Sequence, residues 1–305
     1  MRRAKRYEYT DILGWSATRY GTFSMCRRMY FYTYYSKYDR EIPQRVIDGY
    51  KKLVSVPLEI GSVVHKVIQI LLNRLQKSNE EIDRDRFYDF AKRELKRGLS
   101  SKQFEEVVYG NSDAIEASLF QDKVIDCLEN LLASERYQWL SNEAWQAKDE
   151  WIIEPPGYGE TRLDDLKVYC KVDYLFPVDN CYQIIDWKTG KPDPDKHRKQ
   201  LMGYSAWATH NFEVSTDQVK PVIAYLQPEY TEVEETFNEF DLENLSIDVQ
   251  AETNAMYEYC RDVKQNIPLG KQEFEMVTNE KICSFCKFRG ICYPDRHPCS
   301  LNQVD

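Results

Sequence analysis

Apolar positions change their period along this chain, and the changes mark its elements. Between Gly61 and Leu75 they fall at Val64, Val67, Ile68, Leu71, Leu72 and Leu75, the i, i+3, i+4, i+7 spacing of a helix with one apolar face. From about Asn79 to Leu140 the chain is charged and its pattern predicts helices, with Phe104, Val107, Val108, Leu119 and Leu131 turned inward. The texture becomes strand-like at Gln146. Runs rich in Val, Ile, Tyr and Trp cover Lys148 to Glu154, Val168 to Val178 and Tyr182 to Lys188. A Pro-Asp-Pro breaker leads into a helical run from about Lys196 to Thr209, then a strand at Pro221 to Leu226 and a helix from Asp241 to Val263. A strand-helix-strand crossover makes the last two strands parallel, so the pattern predicts an α/β fold with a mixed sheet flanked by helices.

Asp179-Asn180 is a turn dipeptide between two strand runs. With those residues in the loop, Val178 pairs with Cys181, Leu175 with Ile184, Asp173 with Asp186 and Lys171 with Lys188. Val172, Tyr174 and Phe176 then join Gln183, Ile185 and Trp187 on a face expected to be buried, and the other face carries the like-charged pairs. Like charges directly opposite destabilise a sheet. A divalent cation between the carboxylates removes that repulsion, and hard oxygen ligands suit Mg²⁺ or Mn²⁺. The alternative is two solvated aspartates. Asp186-Trp187-Lys188 also sets a carboxylate and an ammonium on one side of a strand. Metal-assisted attack on phosphorus needs a cation, a group that orients or deprotonates water, and positive charge beside the transition state.

Bulk properties bound the picture. The 305 residues suffice for one large domain or two small ones, and 42% hydrophobic with 30% charged residues is ordinary for a soluble protein. No apolar run approaches the roughly 18 residues of a membrane span. The basic start, Met1 to Arg6, leads into Tyr and Thr rather than an apolar core, so no secretion signal and a cytoplasmic location are expected. A net charge of −9 weighs against a nucleic-acid partner. Distribution matters more than the total: basic residues gather at Arg2 to Arg6, Arg27-Arg28 and Lys188 to Lys199, acids at Glu229 to Glu243. Of nine cysteines, Cys127, Cys170, Cys181 and Cys260 sit among apolar or aromatic neighbours, as small buried hydrophobes do. Cys283, Cys286 and Cys292 form C-x2-C-x5-C, a ligand spacing one thiolate short of a tetrahedral or cubane site.

A strand aspartate, a hairpin and then Ile184-Ile185-Asp186-Trp187-Lys188-Thr189-Gly190-Lys191 resembles the PD-(D/E)XK nucleases, and most of all their RecB-like branch, which includes the CRISPR-adaptation nuclease and the AddB nuclease domain. The likeness extends to Gly61-Ser62-Val63-Val64-His65, which looks like that branch's Gly-Ser-x-x-His helix. It also extends to Gln200-Leu201-Met202-Gly203-Tyr204, which matches its Gln-x-x-x-Tyr helix. The resemblance implies a restriction-endonuclease-like core and a metal held by His65, Asp173 and Asp186. It also implies catalytic work by Asp173, Asp186 and Lys188, with Gln200 and Tyr204 positioning DNA or the lysine. Taken without it, His65 beside an apolar stripe reads as a core histidine, and Gln200 and Tyr204 as a surface pair. Glu150, on the preceding strand, is a further carboxylate with no matching motif position. Cys170 stands where the family usually has glycine.

The branch takes a fourth thiolate from near the N-terminus, and Cys26, in Cys-Arg-Arg-Met-Tyr-Phe, fits that place, with Arg27 where proline is usual. The implied cofactor is a [4Fe-4S] cluster on Cys26, Cys283, Cys286 and Cys292, with zinc as the structural alternative and Cys299 as a substitute ligand. The aromatic segment from 16 to 38 would be ordered by that closure, most of its rings packing and some offering surfaces for single-stranded bases.

The expected organisation is a single nuclease domain over 1–305. Within it lie a helical insertion at 76–145, the catalytic sheet and Gln-x-x-x-Tyr helix at 146–227, and an Fe–S segment at 264–305 closed by Cys26. The expected activity is a Mg²⁺- or Mn²⁺-dependent DNA nuclease, an exonuclease acting on single strands or ends, serving DNA repair, CRISPR adaptation or phage recombination. A non-catalytic nucleic-acid or partner-binding module with a metal-stapled fold is the second reading, and an Fe–S redox protein the third. The first accounts best for His65, Asp173, Asp186 and Lys188 together. No GxxxxGK[ST] phosphate loop is present, so ATP-driven unwinding would fall to a helicase or CRISPR-adaptation partner.

Overall fold

In the order of the chain, α1 (Ala17–Met25), α2 (Arg27–Tyr34), α3 (Gln44–Lys52) and α4 (Val56–Leu75) come first. Next are α5 (Arg84–Ser100), α6 (Glu105–Val108), α7 (Gln121–Ala133) and α8 (Glu135–Ser141). The strands β1 (Ile152–Ile153), β2 (Glu160–Leu163), β3 (Leu166–Tyr169), β4 (Tyr174–Val178) and β5 (Cys181–Lys188) then lead into α9 (Pro194–Phe212). After it come β6 (Val219–Tyr225), β7 (Thr231–Glu234), α10 (Glu239–Tyr257), β8 (Cys260–Asp262), β9 (Ile267–Pro268), α11 (Glu280–Cys283) and α12 (Arg289–Cys292). This computed structural model describes residues 5, 7–154, 159–299 and 301, without the side chains of Pro194 and Lys196. Lys5 apart, the basic Arg2 to Arg6 cluster lies outside the described residues. Among those described, no helix is long and apolar enough to cross a membrane.

The chain divides into two compact units. Met1–Tyr9, Ile60–Arg97 and Ala117–Val249 form the first; Thr10–Glu59, Gly98–Glu116 and Gln250–Asp305 form the second. The stretch 76–145, expected as one insertion, is largely helical, but its Gly98–Glu116 part belongs to the second unit. Within that stretch Phe104 and Leu131 are buried as expected, whereas Val107 and Leu119 are exposed. Both of these sit on short helical segments of four residues, where period is a poor guide to the inner face.

In the first unit a five-stranded sheet runs β1-β4-β5-β6-β7. Its β1–β4, β4–β5 and β6–β7 pairs are antiparallel, and β5–β6 is parallel across the α9 crossover. Asp179 and Asn180 have φ of +51° and +61°, the two left-handed residues of a tight hairpin turn, and Val178 pairs with Cys181 beyond them. Two features of the strand region differ from the sequence reading. Lys148 to Glu154 holds only the two-residue β1, because Ala144–Glu150 forms a 3₁₀ turn. Val168 to Val178 is not one strand but the end of β3 and all of β4; β2 and β3 form a separate hairpin with Asp164 and Asp165 left-handed at its turn.

The sheet is also buried on both faces, not one. Ile184, Ile185, Asp186 and Trp187 are each at most 1% exposed. Tyr204 of α9 bonds to Asp186 on one side, and on the other the Tyr174 hydroxyl bonds to the His65 carbonyl of α4. A parallel crossover puts a helix over the sheet, so alternation along β5 does not separate core from solvent. The α4 stripe of Val64, Val67, Ile68, Leu71, Leu72 and Leu75 is fully buried, each side chain contributing about 1.5–3 kcal/mol of transfer free energy.

In the second unit the aromatic N-terminal segment is core. Phe23, Tyr30, Phe31, Tyr32 and Tyr35 are at most 2% exposed. Phe31 and Tyr259 each place a ring 5.1 Å from that of Phe274, the tilted contact that aromatic quadrupoles favour. These rings are therefore packing, while Tyr38 remains exposed. Arg27 lies over the Phe23 ring and Arg28 donates to the Phe274 carbonyl, so this basic pair is engaged in the fold.

Candidate metal centre

The centre lies in the first unit, where β5 ends and α4 and α9 approach it. Asp186 and Lys188 are two residues apart on β5 and so share a side of the strand. Asp173 occupies the bend just before β4, past the last ladder pair, Tyr174 with Ile185. The register thus runs as expected, but the ladder stops short of Asp173 and of the exposed Lys171, and a Lys171–Lys188 pair is not part of the sheet. Leaving the ladder frees Asp173 to turn toward Asp186. One ligand atom from each of His65, Asp173 and Asp186 lies within 4.8 Å of the others.

His65 comes from the third turn of α4. Its Nε2 is 2.6 Å from the Trp187 carbonyl oxygen, which only accepts, so Nε2 carries the ring proton. Nδ1 faces Asp173 Oδ2 at 3.8 Å. Tying down one imidazole nitrogen through a carbonyl is how proteins orient a histidine for a metal. Gly61, one turn earlier, allows the close approach: a methyl group there would sit 3.3 Å from Thr189 Oγ1.

Asp186 is 1% exposed, and its two oxygens differ. Oδ2 accepts from Lys188 Nζ at 2.8 Å and from the Tyr204 hydroxyl at 3.0 Å. Oδ1 is buried without a hydrogen-bond partner among the described residues. A buried unsatisfied carboxylate oxygen is costly, and a cation beside it would remove that cost. Gln200 closes the network by accepting from Lys188 at 3.3 Å and donating to the Tyr204 hydroxyl. It therefore holds the lysine. Burial and then Asp186 push the Asp173 carboxyl up to about 6, against the opposing pull of His65 and Lys188. Burial and the same two carboxylates hold the Tyr204 phenol well above its ordinary range, so it stays a donor.

The sequence candidates His65, Asp173, Asp186, Lys188, Gln200 and Tyr204 therefore converge. Glu150 does not: it is exposed and shares a surface hollow with Asp179 and Asn180 at the hairpin turn. The nearby acid is Glu154, whose N–H donates to the Asp173 carbonyl at 2.6 Å. The Ile152-Ile153 pair stopped by Pro155-Pro156 was the signal that could have placed the strand end there. Cys170 is buried with its thiol pushed up to about 12, and packs where a methyl on Gly203 would meet its sulfur at 3.1 Å. The close backbone approach falls to Gly159 instead, at φ +59°, where a Cβ would lie 2.0 Å from the Cys170 carbonyl oxygen.

Basic residues of α9 are partly paired, Arg198 with Glu235 and Lys199 with Asp248. In the second unit Cys26, Cys283, Cys286 and Cys292 line one cavity together with Met29, Val277 and Ile282. Cys26 caps α2, its sulfur accepting from the Met29 N–H at 3.4 Å. Burial, with the neighbouring thiols adding to it, pushes Cys286 and Cys292 up to about 12. Cys299 is buried near Gly290 and Tyr109 instead.

No curated protein matches this chain. Among solved structures, that of SSO0001 is similar over 58% of this chain and 77% of its own, with 17% identity and a TM-score of 0.29, a likeness too distant to bear on the site. The family model of the PD-(D/E)XK nuclease superfamily, whose members use divalent metals, matches residues 14–293. Since that match spans most of the chain and the two aspartates and the lysine meet in one place, the protein belongs to the PD-(D/E)XK nuclease superfamily.

Proposed function

We propose that the protein is a Mg²⁺- or Mn²⁺-dependent deoxyribonuclease of the RecB-like branch, an exonuclease acting on single-stranded DNA or DNA ends. The observation that carries this reading is Asp186: one oxygen accepts from Lys188 and Tyr204, and the other is buried without a hydrogen-bond partner among the described residues, while the carboxylate groups with Asp173 and His65. Those three residues would hold the cation. When bound there, it supplies Lewis acidity toward a phosphoryl oxygen and makes water a stronger nucleophile near neutral pH.

The protein's own groups do the rest. Lys188, fixed between Asp186 and Gln200, keeps an ammonium where negative charge develops on phosphorus and can hold or orient a water. Tyr204 keeps its proton and steadies Asp186, so that the carboxylate does not swing toward the lysine alone. Gln200 stops Lys188 from collapsing further onto Asp186. The Trp187 carbonyl orients His65.

Cys26, Cys283, Cys286 and Cys292 would hold a [4Fe-4S] cluster that closes the second unit; four soft sulfur donors lining one mostly apolar cavity support this reading. DNA, and a helicase or CRISPR-adaptation protein, are the partners proposed.

The test is digestion of end-labelled single- and double-stranded DNA with Mn²⁺, Mg²⁺ or EDTA, comparing wild type with Asp186→Ala and Lys188→Ala. Cleavage that needs metal and falls on the order of 10²–10³-fold or more in both variants supports the reading. Intact DNA in every lane with wild type and metal would sink it. An anaerobic absorbance spectrum with iron and zinc analysis tests the cluster.

A further inference from the structure

His65 and Gln69 are one helical turn apart on α4 and share a face. Gln69 Nε2 donates to Glu154 Oε2 at 3.2 Å. The Tyr174 hydroxyl is 3.1 Å from the His65 carbonyl oxygen and 3.3 Å from Glu154 Oε1. A phenol has a single proton to give, so a helix carbonyl and a carboxylate share it. Glu154 directly follows β1, and its N–H reaches the Asp173 carbonyl one step beyond the Ile153–Tyr174 pair. Strand alternation after Ile153 would turn Glu154 away from the Tyr174 side. Its backbone instead takes φ +41°, a left-handed conformation that non-glycine residues seldom adopt, and its carboxylate meets Tyr174 and Gln69.

Glu154 therefore touches the backbone of Asp173 directly. Through two side chains it also reaches the turn of α4 that carries His65. It is not itself one of the three clustered ligands. We propose that Glu154 is a positioning residue of the metal centre: with Gln69 and Tyr174 it clamps α4 so that His65 Nδ1 faces Asp173. This inference rests on the metal reading above. Metal sites tolerate ligand displacements of only about 0.2 Å, so a clamp on the helix backbone is felt at the imidazole nitrogen.

The experiment is Mn²⁺ binding to the full chain by calorimetry, with the coupling of histidine nitrogen to bound Mn²⁺ read by pulsed electron paramagnetic resonance. Wild type is compared with Glu154→Gln, Tyr174→Phe, their double variant and Asp186→Ala, and each is also melted in EDTA. Glu154→Gln and Tyr174→Phe are each expected to weaken Mn²⁺ binding about 10-fold, the lower end for groups behind the ligands, and to diminish the nitrogen coupling. The double variant should bind no more weakly than the worse single one, because both cut the same clamp. The metal-free melting midpoint of Glu154→Gln should stay near that of wild type. Unchanged affinity and coupling in Glu154→Gln, or additive losses in the double variant, would overturn the inference. So would a fall in the metal-free midpoint large enough to account for the lost binding. Loss of one of two bound Mn²⁺ ions with the coupling intact would overturn it too, by making Glu154 a direct ligand. If wild type and Asp186→Ala bind Mn²⁺ alike, the metal reading itself fails and takes this inference with it.

Discussion

The carboxylate centre of the first unit and the thiol group of the second both crowd groups that repel one another when ionised, yet they are supported differently. The carboxylates stand on long, paired elements: the eight-residue β5 and the nineteen-residue α9. The chain itself supplies part of the counter-charge, through Lys188 on Asp186. Three of the four thiols lie on or between α11 and α12, helices of four residues each, and the fourth caps α2 far away in sequence. With thiols of Cys286 and Cys292 pushed up to about 12, chiefly by burial, these two stay protonated at neutral pH unless a cation displaces the protons. One centre is preassembled by secondary structure; the other depends on what it binds.

Removing the proposed cluster should therefore have the largest effect. Cys26→Ser, or oxidative loss of iron, opens a loop of more than two hundred residues, and by loop-closure entropy is expected to cost roughly 5 kcal/mol. Hydrogen exchange should show the loss in residues 250–299, while β5 and β6 keep their protection. Equal loss in both units would break the contrast.

Lys188→Met comes next. It leaves the Asp186 carboxylate buried with Tyr204 alone, and is expected to destabilise the EDTA-treated protein by about 3 kcal/mol. Mn²⁺ should restore most of that, because a cation can stand in for the ammonium. Denaturant titration with and without Mn²⁺ reads both numbers. Tyr204→Phe removes one charge-assisted hydrogen bond, with an expected cost of about 2 kcal/mol in the same assay.

The smallest effect concerns Asp173. Its folded-state carboxyl is raised to about 6, from an ordinary 3.8, by burial and by Asp186. The folded state thus binds that proton more tightly than the unfolded one. Its contribution favours the metal-free fold at low pH, is fully present below about pH 4, and is lost as pH rises through about 6. Asp173→Asn should remove this slope and stabilise the metal-free protein at pH 7.5 by on the order of 1 kcal/mol. Stability curves of the two proteins in EDTA that stay parallel between pH 4 and 7 would contradict it.

Much of this centre was legible because its determinants are local. Asp179-Asn180 sets the hairpin register, the alternation of β5 puts Asp186 beside Lys188, and the spacing of Gln200 and Tyr204 puts both on one helix face. The misplacements were all non-local. Glu150 reads as a strand carboxylate because nothing local shows that a 3₁₀ turn consumes most of that strand. Alternation along β5 marks one buried face, and the cover that α9 gives the other is a consequence of the parallel crossover. The 76–145 stretch read as one insertion because helical period does not say which unit a helix joins.

By itself, then, the sequence determined the helices of the catalytic region, the β4–β5 hairpin register, and the shared sides of Asp186 with Lys188 and of Gln200 with Tyr204, since these follow from periods of two and 3.6 residues and from turn chemistry. Only the tertiary structure decided that Asp186 has one oxygen bonded to Lys188 and Tyr204 and one without a partner among the described residues, that the Trp187 carbonyl orients His65, and that Glu154 lies behind them. Those facts depend on which backbone groups meet across α4, β4, β5 and α9, and no spacing along one strand or one helix encodes a meeting of four.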